Sequence, residues 1–290
     1  MSFSSSPLVG PRAMTGRARG SLLLVAGLCL SGCASVGSVA PMGAGVAEVQ
    51  APNASTPVNL ASLTEVVQKN PRDPTAYDTR GVAYAKIGRF HAAIADFTAA
   101  VRLDPSNAAA YTNRALAYRQ INQNAAAMAD FDRAIQANPN HAPAYLGRAN
   151  LERSEGQYDK ALSDLDNAIR LAPESAEAFH ARGLIYQKQG ADARAIKDFS
   201  DAIDRNPFVA APYQARAESY LRLGRYKHAI ENFNAALNVN NRNADGWAGL
   251  GLAYERQGNR TMAAQSYQRA LAVDSNDALA HAGLARLGQS

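Results

Sequence analysis

Aromatic, small and polar residues return along this chain with a period of 34 residues. The pattern fills six consecutive segments, 74–107, 108–141, 142–175, 176–209, 210–243 and 244–277. The fourth position is aromatic in all six segments and the eleventh is tyrosine in five, so both lie on one face of a first helix. Positions 20 and 27 are always alanine, and position 24 is always large. We therefore expect two packed helices in each segment.

Residues that end and begin helices separate these predicted elements. Position 15 is glycine in five segments and Asn122 in the second, and both residue types tolerate the left-handed conformation that ends a helix. Proline at position 32 stops the second helix in the first four segments, and Asn241 and Ser275 replace it in the last two. The residues expected to cap the next first helix are Asp73, Asn107, Ser175, Asn243 and Asp277, with weaker caps at His141 and Val209.

This pattern resembles the tetratricopeptide repeat (TPR) family over residues 74–290. The resemblance implies an all-α, α-α superhelical solenoid of six helix-turn-helix units. Residues 60–73 match a second helix alone, with Leu63 at position 24 and Val66 at position 27, and residues 278–290 match a first helix alone. We expect both to be capping helices, because terminal repeats would otherwise expose an apolar face.

The first 59 residues predict export and lipid attachment. Three arginines precede an apolar run at 22–30 that is too short to span a membrane, and Leu30-Ser-Gly-Cys33 follows. This resembles the bacterial lipobox, which implies a signal peptide at 1–32, cleavage before Cys33 and lipid attachment to its sulfur. An ordinary secretory signal cut after Ala34 is the alternative, and Met14 is a second possible start. Residues 33–59 are then the lipidated cysteine and a flexible tether.

Charge and location limit the class of partner. The formal net charge is +5, and loss of the three signal arginines leaves +2, so the charge gives no reason to expect nucleic acid. Ala34 after the cysteine, by analogy with Gram-negative lipoproteins, favours the outer membrane, facing the periplasm. We expect protein partners, namely a periplasmic hydrolase, a protease or an envelope-assembly component, and membrane contact through the lipid. A homodimer is compatible with the sequence.

No constellation of catalytic residues is visible in the sequence. The five histidines stand in neither an HExxH motif nor a spacing that suits a metal with Cys, Asp or Glu, and no phosphate-binding loop occurs. We therefore expect no enzyme activity, no metal and no cofactor. The favoured function is a non-catalytic scaffold that serves envelope enzymes as an adaptor. The alternative is an assembly or pilotin-type factor for a pilus, a secretion apparatus or a β-barrel assembly machine.

Positions 7 and 23 predict ion pairs between the two helices. Arginine at position 7 and aspartate at position 23 allow pairing within a repeat or between neighbouring repeats, and the sequence leaves both schemes open. An arginine ladder that binds an anionic ligand is the functional alternative. The residues concerned are Arg80, Arg114, Arg148, Arg182, Arg216, Asp96, Asp130, Asp164 and Asp198.

The inner surface of a TPR array is lined by the first helices, which identifies candidate contacts for a partner. Basic residues in the last turn of these helices either complement the helix dipole or form a basic stripe that contacts an acidic partner. The candidate groove residues are Asp78, Thr112, Asn150, His180, Gln214, Glu218, Lys188, Arg222 and Arg256.

Overall fold

A computed structural model describes residues 60–288. The predicted signal peptide, Cys33 and the tether therefore lie outside the described residues. Within them the chain forms α-helices and no strand. The helices are α1 (Leu60–Lys69), α2 (Pro74–Lys86), α3 (Phe90–Leu103), α4 (Ala108–Gln120), α5 (Asn124–Ala137), α6 (Ala142–Ser154), α7 (Tyr158–Leu171), α8 (Ala176–Lys188), α9 (Asp192–Arg205), α10 (Ala210–Arg222), α11 (Tyr226–Val239), α12 (Ala244–Gln257), α13 (Arg260–Val273) and α14 (Ala278–Arg286).

Each repeat is one pair of these helices. The first, or A, helices are α2, α4, α6, α8, α10 and α12, and the second, or B, helices are α3, α5, α7, α9, α11 and α13. Every helix packs against its neighbours in sequence, and successive A helices also touch one another. With α1 and α14 packed against the first and last pairs, the predicted fold class is confirmed. In α1 it is Val67 that is buried, whereas Val66 is 42% exposed, so the buried face of this cap differs from the expected one.

The predicted left-handed helix ends are present in all six repeats, and five of the seven predicted capping residues form their hydrogen bond. Asn122 has a φ of 58°, and the five glycines at position 15 have φ values between 70° and 91°. Asp73, Asn107, Ser175, Asn243 and Asp277 each accept a backbone N–H of the following helix, whereas His141 and Val209 do not. These turns repeat the same path between helices and so keep the A helices side by side.

The large side chain at position 24 fills the space between two A helices. Phe199 lies against Gly183 of its own repeat, where a Cβ would come within 2.6 Å of the ring. Phe131 instead lies against Gly147, at position 6 of the next repeat, where a Cβ would come within 2.3 Å.

The small residues at positions 6 and 8 of the A helices vary with the size of the side chain at position 24. Each of the four phenylalanines has glycine at one of the two contact positions, position 8 of its own repeat or position 6 of the next. Leu165, which is smaller, has none, whereas Tyr267 has glycine at both, Gly251 and Gly283. In each repeat, the room between neighbouring A helices is therefore adjusted to the size of the side chain at position 24.

None of the helices between residues 60 and 288 is long and apolar enough to cross a membrane.

Candidate protein-binding groove and the arginine row

Two adjoining indentations run along the A helices. The first has a volume of about 370 Å³ and lies between α4, α6 and α8, with residues from the α9–α10 junction at its edge. The second has a volume of about 450 Å³ and extends to Lys188 and Arg222. Arg153 and Leu184 line both, so the two form one continuous groove.

The walls of this groove combine apolar and cationic side chains. The apolar part is formed by Leu116, Leu146, Leu184, Val209 and Pro212. The cationic part, which we call the basic row, comes from the last turns of four successive A helices. It consists of Arg119, Arg153, Lys188 and Arg222.

The basic row retains hydrogen-bonding capacity at its centre. Arg153 Nη2 lies 3.5 Å from Asn150 Oδ1, while Arg153 Nε is buried with no partner among the described residues. Arg222 is engaged, since its Nη2 lies 2.5 Å from Asp192 Oδ1. An unpaired donor beside apolar side chains suits a ligand that brings an acceptor together with an apolar group.

His180 forms part of the groove as a neutral ring. Its imidazole lies tilted against Phe199, with 5.8 Å between ring centroids. Burial, with a smaller contribution from the charge of Arg153, lowers the pKa of His180 to about 4. At neutral pH this side chain therefore offers one donor and one acceptor and no charge.

The predicted groove residues other than Thr112 divide into three groups. Asn150 and His180 line the first indentation, and Lys188 and Arg222 line the second. Another group is engaged in hydrogen bonds: Asp78 accepts from Asn113 Nδ2 at 3.1 Å, and burial raises its pKa, whereas Gln214 donates to Glu218 and accepts from Asn243. Arg256 is exposed at the end of α12.

Thr112 is wrong as a candidate contact. Its side chain is buried, with the residue 1% exposed, and its hydroxyl donates to the Ala108 carbonyl one turn earlier at 2.9 Å. The hydroxyl is thus satisfied within its own helix and cannot reach a partner.

The arginines at position 7 pair within their own repeats. Two parallel hydrogen bonds of 2.6–2.9 Å join each of four arginines to the aspartate at position 23: Arg80–Asp96, Arg114–Asp130, Arg148–Asp164 and Arg182–Asp198. Arg216 was expected in an ion pair, and this is wrong: it donates to Asn232 at 2.7 Å and to Ser200 at 2.8 Å. Position 23 is asparagine in the fifth repeat, so the second helix of that repeat offers Arg216 an amide oxygen in place of a carboxylate.

A second set of partners links neighbouring repeats, and the sequence interpretation did not include it. Position 25 of the preceding repeat accepts from Nη1 of the arginine: Thr98 from Arg114, Asp132 from Arg148, Asp166 from Arg182 and Ser200 from Arg216. The signal was present, because position 25 is polar in each of these repeats. Because these donors are already used in hydrogen bonds, the arginines connect neighbouring helices and do not form an open binding site for an anion.

Phe208 is a further residue that the sequence interpretation missed. It is 85% exposed in the turn between α9 and α10, and its neighbour Val209 lines the groove. The other repeats carry Ser, Asn, Glu, Arg or Asn at this position, so the single aromatic is an outlier that the repeat alignment could have identified. An exposed phenylalanine beside a groove extends its apolar surface.

Comparison with solved structures gives matches to other repeat proteins. A chain of the APC/C hetero-tetramer Cut9-Hcn1 matches with a TM-score of 0.69 and 18% identity. The match covers 78% of the present protein but only 45% of the longer chain in that complex. PilF of Pseudomonas aeruginosa matches with a TM-score of 0.68 and 18% identity, over 73% of this chain and 97% of its own. PilW, described as a type IV pilus biogenesis factor, matches with a TM-score of 0.66 and 18% identity, over 73% and 98%. At these identities the likeness concerns the fold alone.

Comparison of sequences is more specific about the family. A search of curated proteins gives no match. Models described as TPR repeat or tetratricopeptide repeat match residues 79–142, 149–190, 176–208, 217–258 and 244–277, which together exceed half of the chain. Repeats of this kind generally mediate binding to proteins and are generally non-catalytic, and none of these models describes an enzyme. The chain belongs to the tetratricopeptide repeat family.

Proposed function

We propose that this protein is a lipid-anchored scaffold on the periplasmic face of the outer membrane, and that it holds a protein partner in the groove of its A helices. The partners are envelope enzymes such as peptidoglycan hydrolases or proteases, for which the protein acts as an adaptor. The observation that carries the proposal is the continuous groove with its apolar wall and its basic row. The anchor rests on the lipobox-like sequence that ends at Cys33.

The groove suits an extended segment with apolar and acidic side chains. Apolar side chains would pack on Leu146 and Leu184, while a carboxylate would accept from the unpaired Nε of Arg153. Residues 34–59 would give the repeats a reach on the order of 30 Å from the membrane. Confinement near the membrane raises the effective concentration of two bound partners toward each other.

Co-purification from gently solubilised envelopes tests both parts of the proposal. We would compare the wild type with Cys33→Ala and with the groove variant Arg153→Gln/Lys188→Gln. The matched control is Arg102→Gln/Arg133→Gln, which removes the same charge from exposed positions on the B helices α3 and α5.

The expected result separates the groove from the anchor. A hydrolase or protease should be recovered with the wild type and the control, and lost with the groove variant. Cys33→Ala should leave the membrane fraction and lose the partners that require confinement. Equal recovery with the groove variant and the control would overturn the groove, and an identical partner set with Cys33→Ala would overturn the role of the lipid.

The second candidate function is an assembly factor for a type IV pilus or a related envelope machine. It is favoured by the match to PilW, described as a pilus biogenesis factor, over nearly the whole of that chain. The same co-purification distinguishes the two, because pilus, secretin or barrel-assembly components in place of hydrolases would support the assembly factor.

A further inference from the structure

Glu152 interrupts the row of tyrosines at position 11. The other five repeats place a tyrosine ring there: Tyr84, Tyr118, Tyr186, Tyr220 and Tyr254. Glu152 is only 6% exposed, so its carboxyl group occupies a position that holds an aromatic ring in every other repeat. An indentation of about 650 Å³, bounded by α5, α6 and α7, opens at this point.

The Glu152 carboxylate has a buried oxygen without a partner. Its Oε2 is buried and has no hydrogen-bond donor within reach among the described residues. Burial, followed by the charge of Asp164, raises the pKa of this carboxyl group. A buried acceptor left unsatisfied is costly, which makes this oxygen a place where an added donor would be stabilising.

The two cations in the cavity wall, Arg148 and Lys160, donate hydrogen bonds to other residues. Arg148 donates through Nε and Nη2 to Asp164 and through Nη1 to Asp132, at 2.6–2.9 Å. Lys160 Nζ donates to Gln157 Oε1 at 2.8 Å. Neither of them donates a hydrogen bond to Glu152 Oε2, which leaves this oxygen open to a cation from another molecule.

The rest of the lining favours a cation on an aliphatic stem. Asn124, Asp132 and Glu155 add acceptor oxygens, and Met128 gives an apolar surface. The carboxylates of the lining, Glu152, Glu155 and Asp132, outnumber its two cations. A volume of this size lies within the range of small-molecule sites.

We propose that this indentation, the Glu152 pocket, binds an alkylammonium or alkylguanidinium group, as carried by a lysine or arginine side chain or by a free amine. The cation forms a charge-assisted hydrogen bond with Glu152 Oε2, and its stem packs on Met128. The pocket shares no lining residue with the A-helix groove. It therefore gives the scaffold a second site, for a basic ligand, that is independent of the proposed groove partner.

Calorimetric titration of the purified full chain in detergent tests the pocket. The probes are agmatine and N-acetyl-arginine-methylamide, with N-acetyl-citrulline-methylamide as the uncharged probe of the same shape. Glu152→Gln removes the charge and keeps the size, and Glu152→Tyr restores the ring of the other five repeats. The groove variant Arg153→Gln/Lys188→Gln is the control that should bind as the wild type does.

The expected result is binding of a cationic probe by the wild type and by the groove variant, with no binding of the citrulline probe. Both Glu152 variants should lose at least about tenfold in affinity, which corresponds to about 1.4 kcal/mol. Tighter binding of agmatine indicates a free amine, and tighter binding of the blocked arginine indicates a peptide side chain. A Glu152→Gln variant that binds the cations as the wild type does, or a wild type that binds none, would overturn the proposal.

The tyrosine variant also distinguishes a lost site from a lost fold. Because five repeats accommodate tyrosine at this position, Glu152→Tyr should melt at or above the wild-type temperature. A stable Glu152→Tyr protein that still binds the cationic probes with unchanged affinity would contradict the pocket directly.

Discussion

Arg114 and Asp130 are joined by two parallel hydrogen bonds, from Nε to Oδ2 at 2.6 Å and from Nη2 to Oδ1 at 2.8 Å. Both side chains are less than a tenth exposed. The guanidinium also lies 5.6 Å from the Tyr111 ring centroid and donates through Nη1 to Thr98 of the preceding repeat. A single arginine thus holds together the two helices of its repeat and the B helix before them.

Asp130→Ala should lower the free energy of unfolding by about 3 kcal/mol, because it leaves the buried Arg114 charge without its partner. The matched control is Glu65→Ala, which removes the carboxylate of the exposed Lys69–Glu65 pair and should cost less than about 1 kcal/mol. Urea denaturation followed by circular dichroism measures both. Similar losses in the two variants would mean that the buried pair contributes no more than a surface pair.

Asn232→Asp should stabilise the fifth repeat. Arg216 now donates through Nε to the neutral Asn232 amide oxygen, whereas the equivalent arginines of four other repeats donate twice to a carboxylate. Hydrogen bonds to charged groups contribute more than neutral ones, so we expect a gain of about 1 kcal/mol, reduced by loss of the Asn232 bond to the His228 carbonyl. Thermal unfolding measures the gain, and Arg216→Gln/Asn232→Asp should abolish it.

Exchange of glycine and alanine across Phe199 tests how the A helices are spaced. Gly183→Ala alone should destabilise the protein by about 1–3 kcal/mol, because its Cβ would meet the Phe199 ring at 2.6 Å. Adding Ala215→Gly provides room on the other side of the ring, as in the Ala115–Phe131–Gly147 arrangement, and should recover part of this loss. A double-mutant cycle by urea denaturation measures the coupling. Additive losses would contradict the idea that the ring moves between the two sides.

The sequence predicts the helices and their turns well, because those features repeat in phase. Asn122 illustrates this: its place in the glycine position predicted a left-handed helix end, and its φ is 58°. The choice between pairing schemes did not follow from the sequence. Asp130 and Asp164 occupy the same position in successive repeats, so spacing alone gives Arg148 no preference, and only the packing of α6 against α7 places Asp164 at its Nε and Nη2.

The groove was harder to predict than the fold because it depends on which way each side chain faces. Thr112 and Asn150 both lie on A helices, but Thr112 is buried and bonded within its helix, while Asn150 reaches the groove. Leu146 and Leu184 were not among the predicted groove residues, and the structure places them in the groove wall. Single departures from the repeat, such as Glu152 and Phe208, were the useful signals for surface features.

Titration of His180 should make the protein less stable in mild acid. Its pKa is about 4 in the folded state, below the ordinary value of about 6.5, so the unfolded chain takes up a proton first as the pH falls. Stability should therefore decrease between about pH 6.5 and pH 4 through this residue. His180→Gln should flatten the dependence of unfolding free energy on pH in that window, and His91→Gln, on the exposed surface of α3, is the control. Parallel pH profiles for wild type and His180→Gln would refute this assignment.

Glu255 should determine how firmly the last helix is attached. Its carboxylate accepts from Arg286 Nε at 2.8 Å and Nη2 at 2.9 Å, and from the Tyr267 hydroxyl at 2.6 Å, which joins α12, α13 and α14. The hydrogen bond from Arg286 is the main reason that the pKa of Glu255 lies below its usual range. The contribution to stability is therefore present above the ordinary glutamate pKa and is lost as the pH falls through the lowered folded value.

Glu255→Gln should loosen α14 at neutral pH by about 1 kcal/mol or less, since Arg286 is nearly half exposed and solvent weakens the pair. Hydrogen exchange should show faster exchange of the α14 amides in this variant and unchanged exchange in α4. Glu231→Gln, which alters an exposed glutamate on α11, should leave α14 as in the wild type. Because α14 covers Tyr267 through Gly283 and Leu287, its loosening would expose the apolar end of the last repeat. Unchanged α14 exchange in Glu255→Gln would show that apolar packing alone holds this cap.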